Sequence, residues 1–146
     1  MSNPRFKKGY SLVVGEADFE RFLPAVAAAG FEGIEPTFVD GAYPSPGDAL
    51  DRARRLRTVC DDLGLLIPSM RGGRVPWTTI PSDDPAMRSQ ALDHTRRAFE
   101  CLEVMGGDVL LVVPGMRTPD VDYHTHWQRV VEYGQAVSEI AGEFNM

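Results

Sequence analysis

The stretch Ala29-Gly30-Phe31-Glu32-Gly33-Ile34-Glu35-Pro36 carries the reading of the whole chain: an alanine-rich helix ends at a glycine, and a short apolar strand delivers a carboxylate before a proline stops it. Glycine just past a helix end supplies the left-handed cap, and Phe31 and Ile34 suit a pleated, covered surface. The same grammar returns at Asp62-Leu63-Gly64-Leu65-Leu66-Ile67-Pro68 and at Val104-Met105-Gly106-Gly107-Asp108-Val109-Leu110-Leu111-Val112-Val113-Pro114. Three helix, glycine and strand junctions in series predict a succession of βα units.

Outward from these junctions, residues 10–14 read as a first strand closed by Gly15, with Glu16 and Asp18 favouring a helix start. Phe19, Phe22, Leu23, Val26 and Ala27 share one helical face, and Pro24 forces a kink there or a beginning near Leu23. Residues 37–46 hold Gly41, Pro44 and Pro46 and read as a long loop of the kind that shapes a site. Ser45 as cap, Pro46 at the first helical position and Asp48 three residues after the cap open a second helix. Its apolar period runs through Ala49, Leu50, Ala53, Leu56, Val59, Cys60 and Leu63, with Arg52, Arg54, Arg55 and Arg57 as a solvated face paired with Asp48, Asp51, Asp61 and Asp62.

A third strand, residues 65–69, runs into Arg71-Gly72-Gly73-Arg74, then Trp77, and the longest irregular connector, which ends at Asp84-Pro85. The helix that starts there buries Met87, Ala91, Thr95, Ala98, Leu102 and Met105 and leaves His94 on its surface. The fourth strand, residues 109–113, is a continuous apolar run of the type covered on both faces. Asp122 caps a last helix over 123–141, with Trp127, Val130, Val131, Gly134, Val137 and Ala141 on one stripe and Gly142 closing it. Residues 143–146 then lead toward a fifth strand.

The 146 residues support one core and one domain over 1–146, but fall well short of the roughly 250 residues of a complete eight-stranded βα barrel. A balance of 15 basic against 21 acidic residues, net charge -6, argues against nucleic acid as a partner. The mildly basic residues 1–8 precede an apolar run too short for a signal-peptide core, and no run approaches the ~20 residues of a membrane span. Cys60 and Cys101 lack metal-ligand spacing and read as buried thiols of a cytoplasmic protein.

The ordered set of Gly30-Phe31-Glu32-Gly33-Ile34-Glu35, Leu63-Gly64-Leu65 leading into Ile67-Pro68-Ser69, Asp84-Pro85, and the run from Met105 through Gly115 resembles the first half of the sugar phosphate isomerase/epimerase family. These are the xylose-isomerase-like TIM barrels, which also include the type-two apurinic endonucleases. The resemblance implies an α/β fold of about four parallel βα units, an incomplete half barrel. It further implies a divalent metal (Mn, Mg, Co or Zn) that grips substrate oxygens while glutamates move a proton next to a carbonyl. In the family's epimerases and isomerases the ligands come from strands five to eight, so none is assigned in this chain. The endonuclease branch takes histidines from the ends of strands three and four. Ser69-Met70 and Pro114-Gly115 stand there instead, against a DNA-repair role.

Barrel chemistry sits at the carboxyl ends of the strands, which places Glu35, Arg71 and Arg74 on the working rim. Glu35 is the candidate catalytic residue, a hydroxyl acceptor, or else a carboxylate paired with a basic neighbour. Arg71, Gly72, Gly73 and Arg74 offer guanidinium forks and glycine amides to a sugar or sugar phosphate, or else form a plain flexible loop. Trp77 walls the pocket or packs its own loop. His124 and His126, two apart on a helix, point away from each other and do not share an ion.

Three functions compete on this reading. The first is half of a metal-dependent sugar isomerase or epimerase, inactive alone, whose unpaired outer strands lead to a homo-oligomer or a complementary half barrel. The second is a non-catalytic interaction module. The third is a small open nucleotide-binding domain, against which the acidic Val14-Gly15-Glu16-Ala17-Asp18 turn counts.

Overall fold

A computed structural model describes residues 8–146. The basic start weighed as a leader falls, except for Lys8, outside the described residues. Four strands, β1 (Gly9–Leu12), β2 (Gly33–Pro36), β3 (Ser69–Arg71) and β4 (Val109–Leu111), lie side by side in chain order, every pairing parallel. Ser11 faces Glu35, the bridges Gly33 to Leu66 and Thr37 to Arg71 join β2 to β3, and Arg71 faces Leu111. Strictly consecutive order rules out the open nucleotide-binding alternative, in which the order reverses beside the first strand. It is the order of half a barrel.

Between its two bridges β2 advances four residues, Gly33 to Thr37, while the third strand advances five, Leu66 to Arg71. The extra residue is a bulge at Pro68, which has no N–H to give the ladder. This is why the regular strand begins at Ser69 and not at residue 65. Beyond the bulge Met70 joins Ile67 in the core, and Ser69 and Arg71 turn to the opposite face.

Glycines at positive φ (Gly30, Gly64 and Gly106) end the helices before β2, β3 and β4, as the junction grammar predicts. A 3-10 turn, Glu16–Asp18, precedes α1 (Phe22–Ala28), so Pro24 sits harmlessly in the first turn. The helix α2 (Ala49–Asp62) starts after Asp48, not at Ser45. Tyr43 is buried, its N–H donates to Val14 O at 2.8 Å and its hydroxyl binds Glu16, which holds residues 43–46 in the loop. The connector after β3 is not wholly irregular: it contains a one-turn helix, α3 (Val75–Thr79), with Pro76 in its first turn.

The helix α4 (Pro85–Met105) is capped as predicted, Asp84 accepting the Ala86 N–H at 2.9 Å. The main core lies between one sheet face and α1, α2 and α4, and contains Leu12, Leu23, Ile34, Leu56, Met70 and Leu102. Cys60, Cys101 and Met105 are buried in it, and burial pushes both thiols up to about 12.

At the far edge the sequence reading needs four corrections. Val109 and Leu111 are 56% and 49% exposed, so β4 is not covered on both faces. Only Leu110 turns to the main core, as strand alternation requires. The final helix, α5 (Tyr123–Glu143), buries Tyr133 and Ile140 with Val130 and Val137 beside them, while Trp127 and Val131 are exposed. It also runs past Gly142 and closes at Asn145, φ 57°, with Met146 N–H on Ala141 O at 3.0 Å. Residues 143–146 therefore finish a helix and form no strand. Among the described residues no helix is long and apolar enough to cross a membrane.

Candidate functional site

Strand alternation puts Ser11, Glu35, Thr37, Ser69, Arg71, Val109 and Leu111 on the face away from the helices. Glu35 is held from both flanks: Ser11 Oγ donates to Oε2 at 2.7 Å and Ser69 Oγ to Oε1 at 2.9 Å. Among the described residues its partners are hydroxyls from the neighbouring strands and not a basic side chain. Each carboxylate oxygen keeps a second lone pair for another donor.

One row further along the strands, about 7 Å toward their exits, a cleft of about 430 Å³ opens. Its walls are Val13 of the first unit, Thr37, Val39 and Asp40 beyond β2, Arg71 to Arg74 with Trp77, and Leu111 and Val113. The five predicted substrate residues Arg71, Gly72, Gly73, Arg74 and Trp77 thus share one cavity, and Glu35 lies beneath it outside the lining. The Arg74 guanidinium sits over the Trp77 ring, 5.2 Å from its centre. Arg71 Nε and Trp77 Nε1 are buried without a hydrogen-bond acceptor among the described residues. Among the described residues no carboxylate pairs with Arg71 or Arg74, whereas Arg52, Arg54, Arg57, Arg96 and Arg129 each have one.

The segment is not a free loop. Gly72 N–H donates to Leu111 O at 2.9 Å, so its amide belongs to the β3–β4 ladder and is closed to a ligand. Gly73 turns at φ 79°, where a Cβ would stand 2.2 Å from Phe38 O. Only glycine fits. Gly72 O in turn accepts from His94 Nε2 at 2.7 Å, which requires the proton on that nitrogen.

His94 is accordingly not the surface residue expected of its helix position. It is half-buried against Phe38, ring centres 4.8 Å apart. Burial pushes its imidazole below the ordinary range, opposed by the Gly72 hydrogen bond and the Asp40 charge. Nothing local in the sequence marks His94; Ser11 and Ser69, by contrast, are legible as polar residues in apolar strands at Glu35's level.

A second cluster ties the loops after β1 and β2 together. Tyr43 OH and Arg55 both bind Glu16, and the Arg55 guanidinium lies 4.8 Å from the Phe19 ring centre. The Tyr43 hydrogen bond lowers the Glu16 carboxyl and raises the Tyr43 phenol. Arg55 therefore departs from the expected helix pairs, whereas Arg52, Arg54 and Arg57 keep Asp48, Asp51 and Asp61.

The residues present do not fit a divalent metal: among the described residues no three His, Cys, Asp or Glu side chains converge. His124 and His126 lie on α5, behind an Asp122 whose side chain caps the His124 and Thr125 amides.

The sequence model of one family, the xylose isomerase-like TIM barrel, matches residues 23–146. No curated protein matches the chain significantly. Among solved structures, the chain is similar to 3-keto-D-glucoside 4-epimerase from E. coli, at 19% identity and a TM-score of 0.70, with 97% of this chain and 54% of that one covered. An L-ribulose 3-epimerase gives 21% and 0.72, covering 96% and 47%. A D-allulose 3-epimerase from Methylomonas sp. gives 19% and 0.73, covering 100% and 51%. At these identities the likeness is one of fold, and the chain spans about half the length of each structure.

Proposed function

Because the chain belongs to the xylose isomerase-like TIM barrel family, we propose that it is the substrate-facing first half of a sugar or sugar-phosphate isomerase or epimerase. The observation that carries this is the cleft at the exit ends of four parallel strands, walled by Arg71, Arg74 and Trp77 and underlain by Glu35. That is where βα barrels place their chemistry. The sugar-epimerase names of the similar structures support the substrate class.

Glu35 accepts a sugar hydroxyl through its free lone pairs, and Arg71, Arg74 and the Gly73 amide orient the sugar against Trp77. The family's divalent metal, whichever of Mn, Mg, Co or Zn it is, takes its ligands from outside this chain. On this reading the chain alone, residues 1–146 as one domain, has little or no epimerase activity. Its two free buried thiols are in keeping with a cytoplasmic setting.

The outer edges of β1 and β4 have no strand partner among the described residues, and Val109 and Leu111 are exposed beside one of them. Such edges favour pairing with a second copy or a complementary half barrel. Sedimentation at micromolar concentration is expected to show a dimer or larger species, and a well-folded monomer overturns the pairing. For the substrate, D-fructose titrated into the chain is expected to perturb the Trp77 indole N–H resonance saturably, and Glu35→Gln to weaken that binding. An indole signal unmoved by D-fructose and by its 6-phosphate ends the sugar reading.

A further inference from the structure

Three strand exits meet at a single peptide. Arg71 O accepts the Phe38 N–H from the β2 side at 2.8 Å, and Gly72 N–H reaches Leu111 O on β4. Among the described residues no backbone N–H donates to Gly72 O. Gly72 is buried, and a buried carbonyl left without a donor is costly. His94 reaches up from α4 to satisfy it, and the same ring leans on Phe38, the residue whose carbonyl Gly73 nearly touches. One side chain from the helix layer thus braces the exits of β2 and β3 directly and that of β4 through the Gly72 peptide.

We infer that His94 is the positioning residue of the cleft: its Nε2–H holds the Gly72 carbonyl and so fixes the turn that sets Arg71 and Arg74 in the cleft wall, without touching the ligand. This rests on the proposed function for the meaning of the cleft, but not for the hold on the turn. His94 is absent from the cavity lining, whereas Gly72 and Gly73, the two residues it holds in place, are part of that lining. An apolar side chain at 94 would pack on Phe38 equally well but leave the carbonyl orphaned, which separates positioning from packing.

Amide hydrogen exchange on the wild-type chain, His94→Leu and His94→Gln tests this. Leucine keeps the bulk and loses the donor, while glutamine keeps an N–H of similar reach. Exchange at the Gly72 and Phe38 amides is expected to quicken about ten- to hundredfold in His94→Leu, the size of one lost hydrogen bond to a buried group. Ile34 N–H, bonded to Leu66 O at the sheet centre, is expected to hold its rate. His94→Gln is expected to restore Gly72 and Phe38 to within a few-fold of wild type. Unchanged exchange in His94→Leu, equal behaviour of the two variants, or a uniform rise that includes Ile34 overturns the inference. D-fructose titrated into the same proteins keeps the two claims apart. Binding to wild type that His94→Leu leaves intact overturns the positioning role and spares the proposed function. Selective exchange with no response to D-fructose or its 6-phosphate leaves the hold of His94 on the turn supported and removes the proposed function.

Discussion

The helices α4 and α5 are each 21 residues long and each opens on an aspartate that caps it, yet they live in different surroundings. The first buries seven residues and packs against α2, α3 and α5. The second buries two, packs on α4, and leaves Tyr123 and Trp127 stacked and exposed along its outer side. Length and capping therefore say that a helix forms, not how much of it is covered. The strands repeat the contrast on their core-facing row: Ile34 of β2 is fully buried, while its counterpart Leu110 on the edge strand β4 is only partly covered. The finished side and the open side of the molecule differ in neighbours, not in local grammar, which is what the half-barrel reading entails.

The largest measurable difference between the two helices is in thiol chemistry. Cys101 on α4, like Cys60 on α2, is buried with its thiol pushed up to about 12. Aromatic disulfide reagents are expected to label both about a thousandfold or more slowly than Trp127→Cys on α5, since labelling must await an opening that costs several kcal/mol. Equal labelling rates under native conditions break the comparison.

Next in size is stability. Leu102→Ala, on the fully buried face of α4, is expected to cost about 2–5 kcal/mol in urea unfolding. Trp127→Gln is expected to fall within about 0.5 kcal/mol of wild type. A large loss at Trp127 would mean that its exposed side is covered in solution, and repeating it across protein concentrations would identify self-association as the cover.

Smaller effects appear in the pH dependence of melting. The His94 imidazole is held below its ordinary 6.5, mainly by burial, so the unfolded chain binds its proton more readily. Its contribution is complete above 6.5 and lost as the pH falls through the lower folded value, and His94→Gln is expected to flatten that part of the curve. On α5 the Asp122 carboxyl is held below its ordinary 3.8, first by the Thr125 side-chain hydrogen bond. Stability from this cap is present above that value and fades as the pH drops through the lowered one, so Asp122→Asn is expected to lessen the acid sensitivity. A melting curve of the same slope in either variant assigns the titration elsewhere.

What the sequence determined by itself was the local grammar. Glycine at 30, 64 and 106, aspartate at 84 and 122, and the apolar periods of the second and third predicted helices all act within a turn or two, so they are legible without a fold. These were enough for parallel βα units in series and for placing Glu35 and the Arg71–Trp77 segment at strand exits. Only the tertiary structure decided the bulge that turns Ser69 and Arg71 away from the core, the serines that flank Glu35, the side of α5 that is buried, and the reach of His94 to Gly72. Each of these joins residues far apart in the chain, 22 positions in the last case and 34 between Ser69 and Glu35. A side chain's neighbours across such distances are set by how whole units dock, and no periodicity within one unit encodes that.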